Sequence, residues 1–165
     1  MTQQRRAVRL FAAGDGAPAV GPGEVRDRFL VDGADTGGRF ALVQHLFAPR
    51  ALAAPLHRHR DEDEFTFVLT GSIGAVLDGE EVVAGPGDLL FKPRGQWHTF
   101  WNAGDEPAAC LELIYPAGLE RLFRAMADAA EPPAPDVLAD MAARRGCELD
   151  FAGTEPLVRR HGLES

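Results

Sequence analysis

The sequence predicts a mainly β protein, a barrel or sandwich of short strands followed by short helices. Three observations carry that prediction. From Val25 to Tyr115 the chain is a series of short apolar runs broken by turn residues. After Pro116 the spacing becomes helical, with Leu119, Leu122, Phe123 and Met126 falling on one face. A length of 165 residues and a 45% hydrophobic content suit one domain, residues 1–165, with a core of its own.

Taken in order, residues 1–24 read as a lead-in, and 12–24 are rich in Gly, Ala and Pro. A barrel over about 25–115 would contain the strands Arg26 to Val31, Arg39 to Phe47, Glu64 to Leu69, Ile73 to Leu77, Glu81 to Ala84, Asp88 to Lys92, Trp97 to Trp101 and Ala108 to Ile114. Asp78-Gly79 marks a tight hairpin, because both residue types tolerate positive φ. Gly85-Pro86-Gly87 and Asn102-Ala103-Gly104-Asp105 also read as turns. A helical segment over about 116–146 follows. Its first helix, Gly118 to Ala130, is stopped by Pro132, Pro133 and Pro135. Its second runs from Asp136, an N-cap candidate, to Arg145, with Gly146 as the stop. Glu148 to Phe151 reads as a last strand.

Charge and composition exclude several functions. The formal net charge of -8 opposes binding to nucleic acid or to an anionic membrane surface. The opening MTQQRRAVRLF lacks the apolar stretch of a signal peptide, and no run of eighteen apolar residues occurs. Cys110 and Cys147 have no metal-type spacing and are expected as reduced thiols of a cytoplasmic protein.

One constellation carries chemistry. In His57-Arg58-His59, alternation on a strand points both imidazoles to one side, within reach of one ion. His-x-His alone is a weak signal. Glu64 follows five positions later, which on one continuous strand would be the opposite face. The charged residues Arg60, Asp61, Glu62 and Asp63 suit an irregular loop that resets the register, and Asp61, Glu62 and Asp63 read as solvated there. Glu64 differs because it opens the apolar strand and needs a cation or hydrogen-bond partner.

Downstream, Gly87, Pro93, Gly95, His98 and Asn102 complete two blocks, His57-x-His59-x4-Glu64-x6-Gly71 and Gly87-x5-Pro93-x-Gly95-x2-His98-x3-Asn102. Fifteen residues, Ser72 to Pro86, lie between them. Together the blocks resemble the two sequence motifs of the cupin superfamily, most closely over residues 36 to 116. The resemblance implies a double-stranded β-helix, the jelly-roll barrel, and one divalent metal ion on His57, His59, Glu64 and His98. Three imidazoles and a carboxylate suit Fe, Mn, Ni, Co, Cu or Zn without selecting among them. A metal that only stiffens the barrel is the competing reading.

On this reading Thr66, Val68, Phe100 and Asn102 share the faces of Glu64 and His98 and line a substrate pocket. Phe65, Phe67, Trp97 and Trp101 take the opposite face, against another sheet, the helices or a second subunit. His45 is expected to be a satisfied core or surface histidine, and His161 a solvated one. Resemblance to the small quercetin dioxygenase-like cupins implies an oxygen-dependent reaction on an enolic or phenolic small molecule, with Glu64 as ligand and catalytic base. The alternatives are a non-redox isomerase, lyase or cyclase, and a binding module without turnover. A homodimer is expected, because a short barrel leaves sheet edges and apolar faces to cover.

Overall fold

Strict alternation of apolar and polar residues sends every second side chain inward, and two antiparallel sheets close over those side chains. The computed structural model describes residues 10, 19–21 and 23–164, so the expected lead-in falls largely outside the described residues. The strands are β1 (Val25–Val31), β2 (Ala41–Phe47), β3 (Leu56–His59), β4 (Asp63–Thr70), β5 (Ile73–Leu77), β6 (Glu80–Ala84), β7 (Leu89–Lys92), β8 (His98–Asn102), β9 (Ala108–Tyr115) and β10 (Cys147–Asp150). One sheet runs β1-β2-β9-β4-β7 and the other β10-β3-β8-β5-β6. This is the expected mainly β jelly-roll barrel.

Local chemistry sets the hairpins. Asp78 and Gly79 both adopt positive φ, 50° and 89°, between β5 and β6. Gly74 is required for a different reason: a Cβ there would lie 2.4 Å from the Trp101 ring. The apolar interior gathers Phe47, Val68, Ile73, Ala75, Leu90, Phe100 and Cys110. Four short helices complete the fold: α1 (Gly33–Thr36), α2 (Glu120–Ala127), α3 (Pro135–Ala143) and α4 (Phe151–His161). Leu119 and Leu122 at α2 and Ala142 of α3 pack against Ala41, Val43 and Ile114 of one sheet and Cys147 of the other. They therefore pack against strands of both sheets.

Several expectations need correction. The first helix is shorter than the span Gly118 to Ala130. The second is capped by Ala134 with Pro135 in its first turn, so Asp136 is inside the helix and is not its cap. The last strand is Cys147–Asp150, and Phe151 starts α4. The Asp150 side chain accepts from Gly153 N at 2.8 Å and caps that helix. Leu157 and Leu163 then cover Trp101, which is 2% exposed. His161 is not simply solvated, since its ring lies 4.7 Å from Trp101 and its Nε2 3.1 Å from Glu81. No helix of the described residues is long and apolar enough to cross a membrane.

Candidate metal centre

Strand register assembles the cluster from four segments. His57 on β3 is paired directly with His98 on β8, so their side chains leave the sheet side by side. His59 is two residues along the same face of β3. Glu64 enters from the opposite sheet, where β4 pairs with β7 and β9. The loop at 60–62 breaks the strand, as the register argument requires. One ligand atom from each of His57, His59, Glu64 and His98 lies within 4.8 Å of all the others, and all four residues are buried. The imidazole centroids are 4.3 Å apart for His57–His98 and 4.8 Å for His57–His59.

The donor set fits a transition ion. His57 Nδ1 donates to Pro55 O at 2.7 Å and His98 Nδ1 to Gln96 O at 3.0 Å. With Nδ1 committed to a backbone carbonyl, each Nε2 is the nitrogen that would face a bound metal, the usual arrangement around such an ion. Glu64 Oε2 lies 3.0 Å from His98 Nε2 and 3.3 Å from His59 Nε2. Burial, with the imidazoles of His98 and His59, holds His57 well below the usual histidine value, in the neutral ligand form. Burial alone would also lower His59, but the Glu64 carboxylate and Cys147 push it up to about 10. A cation at the cluster would take the place of that proton.

A buried charge network adjoins the cluster. Lys92 is 1% exposed, with Nζ 3.1 Å from Glu64 Oε2 and 2.9 Å from Glu112 Oε1. Both are close ion pairs rather than aligned hydrogen bonds. Glu112 also accepts from the Thr66 hydroxyl at 2.6 Å. Against burial, the carboxylates of Glu112 and Glu64 raise the Lys92 ammonium, so it stays charged. Burial would raise the Glu64 carboxyl, but Lys92 and His59 together hold it well below the usual range.

Sequence reasoning missed Lys92 and Glu112. A lone charge within LLFK or AACLELIY reads as a solvent-facing residue. The available signal was phase: Lys92 is two residues from Leu90, and Glu112 alternates with Cys110 and Ile114, all inward-facing.

The other predicted residues divide. Thr66 serves the charge network, while Val68 and Phe100 belong to the apolar interior. Phe100 also lies 4.1 Å beneath the Lys92 ammonium. The Asn102 amide is committed to backbone: it donates to Ala48 O and Glu106 O and accepts from Gly104 N. Of the three acidic loop residues, only Asp61 is solvated as expected. Glu62 is buried, and Asp63 accepts from Arg94 N, Nε and Nη2. Asp63 thereby ties β4 to the turn that leads into His98.

Residues 44–114 match the family model described as the cupin domain. With the two-sheet barrel around them, they give the chain a cupin fold. Among its relatives, a gentisate 1,2-dioxygenase of Haloferax is 38% identical over 63 residues, 37% of this chain and 17% of that protein. The tetracenomycin polyketide synthase protein TcmJ of Streptomyces glaucescens is 28% identical over 54% of this chain and 60% of its own length. The chain thus spans less than two thirds of either. The solved polyketide cyclase RemF of Streptomyces resistomycificus is 29% identical and superposes with a TM-score of 0.57, covering 66% of this chain and 80% of RemF.

Proposed function

We propose that the protein is a metal-dependent cupin enzyme of the quercetin dioxygenase-like kind, an oxygenase acting on a small enolic or phenolic substrate. The observation that carries this reading is the buried convergence of three imidazoles and one carboxylate within 4.8 Å. His57, His59, Glu64 and His98 would hold one divalent transition metal, whose identity the donor set leaves open. Such an ion supplies Lewis acidity and, where it is redox-active, electrons for reaction with oxygen.

The chain's own residues define what can bind there. Carbonyls of Pro55 and Gln96 orient two of the imidazoles. All four clustered residues are buried, which keeps bulk water from the cluster. Lys92 holds the Glu64 carboxylate in place and makes it a weak base. Glu64 would therefore accept a proton only from a hydroxyl that a bound cation had acidified, and enols and phenols are the hydroxyls most readily acidified in this way. Similarity to a gentisate dioxygenase, whose name specifies a phenolic substrate, supports the same class.

A second reading, a non-redox cyclase, is favoured by the longer match to RemF, of which 80% is covered. Oxygen uptake by Fe-, Mn- and Ni-loaded protein across flavonols, gentisate and enediols separates the two. Oxygen consumption with substrate loss supports the oxygenase, and anaerobic turnover supports the cyclase.

A further inference from the structure

A second polar pair faces the barrel interior away from the four clustered ligands. Asp27 of β1 and His45 of β2 stand directly opposite each other in register, and His45 Nδ1 lies 2.7 Å from Asp27 Oδ1. An ionised carboxylate only accepts, so Nδ1 carries a proton and Asp27 fixes the ring. That leaves Nε2, which is buried and meets no hydrogen-bond partner among the described residues. The whole residue is 5% exposed.

The surroundings of this nitrogen are apolar. The rings of Phe123, Phe100 and Phe47 lie 5.6, 6.0 and 6.2 Å from that of His45. On β2 itself the inward neighbours are Val43 and Phe47. The charged groups that bear on His45 are Asp27 from β1, Glu112 from β9 and Lys92 from β7. Phe100 touches both sides, since Lys92 Nζ lies over its ring. A chain of contacts through Phe100 and Lys92 thus links His45 to the cluster ligand Glu64.

A ring needed only for packing among three phenylalanines would not require a nitrogen there. A ring held by a carboxylate with its other nitrogen buried and unpartnered has the form of a ligand-binding imidazole.

We propose that His45 is a substrate-binding residue: its Nε2 hydrogen-bonds a second oxygen of a molecule whose first oxygen sits at the His57–His59–Glu64–His98 cluster. The inference rests on the enolic or phenolic reading above and narrows it to molecules with hydroxyl groups at opposite ends. A hydroxyl complements this nitrogen in both of its protonation states, donating to the imidazole and accepting from the imidazolium.

Matched probes test the assignment on zinc-loaded protein by calorimetry. Quercetin carries ring hydroxyls, far from its chelating oxygens, that galangin lacks, and gentisate carries one that salicylate lacks. In at least one pair the hydroxylated member should bind about tenfold tighter, the worth of one good hydrogen bond. His45→Phe, which keeps the aromatic packing, should close that gap to about twofold. In the wild-type protein, the ring ¹⁵N signal of His45 Nε2 should move on saturation with the hydroxylated probe, a readout that needs no variant. Probes that bind with no gap in either pair, a gap that survives His45→Phe, or an unmoved Nε2 signal would each overturn the role of His45 alone. Failure of all four probes to bind would overturn the enolic or phenolic reading and this inference with it.

Discussion

Removing Lys92 isolates the energetic logic of the barrel interior. Lys92→Met keeps the stem volume but leaves Glu64 and Glu112 facing each other across a dry interior without their shared cation. Breaking a buried ion pair from one side costs about 3–5 kcal/mol. At this chain length each kcal/mol shifts the melting temperature by about 2–4 °C, so the loss should be roughly 6–20 °C. Glu112→Gln added to Lys92→Met removes the second charge while its amide oxygen still accepts from Thr66. The double variant should then recover to within about 1.5 kcal/mol of wild type. Urea unfolding of protein stripped with a chelator measures both without interference from metal binding. Saturating zinc should shrink the single variant's penalty, because the ion then neutralises Glu64. A single variant that costs less than about 1 kcal/mol, or a double variant as unstable as the single, would refute the reasoning.

Four further outcomes are expected. Metal analysis should find one divalent ion per chain, lost in His57→Ala with His59→Ala and weakened in Glu64→Gln; a stoichiometric ion in the double alanine variant would remove the cluster from consideration. Asp27 raises the His45 pKa above its ordinary value despite burial, so the stabilisation is full below about pH 6.5 and fades as pH rises through the folded-state value. The melting-temperature gap between wild type and His45→Phe should therefore narrow from pH 5.5 to pH 9, and a widening gap would reverse the assignment. Gly74→Ala should cost about 1–3 kcal/mol in chemical unfolding, because its Cβ would meet the Trp101 ring. Light scattering should give a dimer mass, since the rows Leu42–Leu113–Phe65–Phe91 and Gln44–Leu111–Phe67–Leu89 cross the outer face of one sheet and leave Phe67, Leu89 and Phe91 exposed. Phe67→Glu with Phe91→Glu should give a monomer mass, and a wild-type monomer would show that this face stays open.

The strands and the four clustered residues were legible in the sequence because their signals are local. A period of two and a positive-φ dipeptide at Asp78-Gly79 each act over a few residues, and the His57-to-Asn102 pattern is two short blocks of fixed spacing. Helix α4 carries no strong local signal, because Gly153 and Pro156 are poor helix formers, and the Asp150 cap and the apolar surface at Trp101 stabilise it. Burial of Glu62 and the backbone duties of Asn102 likewise depend on segments distant in the chain.

The sequence by itself determined a series of short strands, because alternation and turn chemistry need no distant partner, and the motif resemblance added the jelly-roll barrel and the four clustered residues. Only the tertiary structure decided that Lys92, Glu112 and His45 are interior residues. Each is a polar side chain in a largely apolar run, and solvent and core readings of such a residue differ by a single step of register. The choice between them is made by the facing strand: Glu64 and Thr66 accommodate the Lys92–Glu112 charges, and Asp27 orients His45.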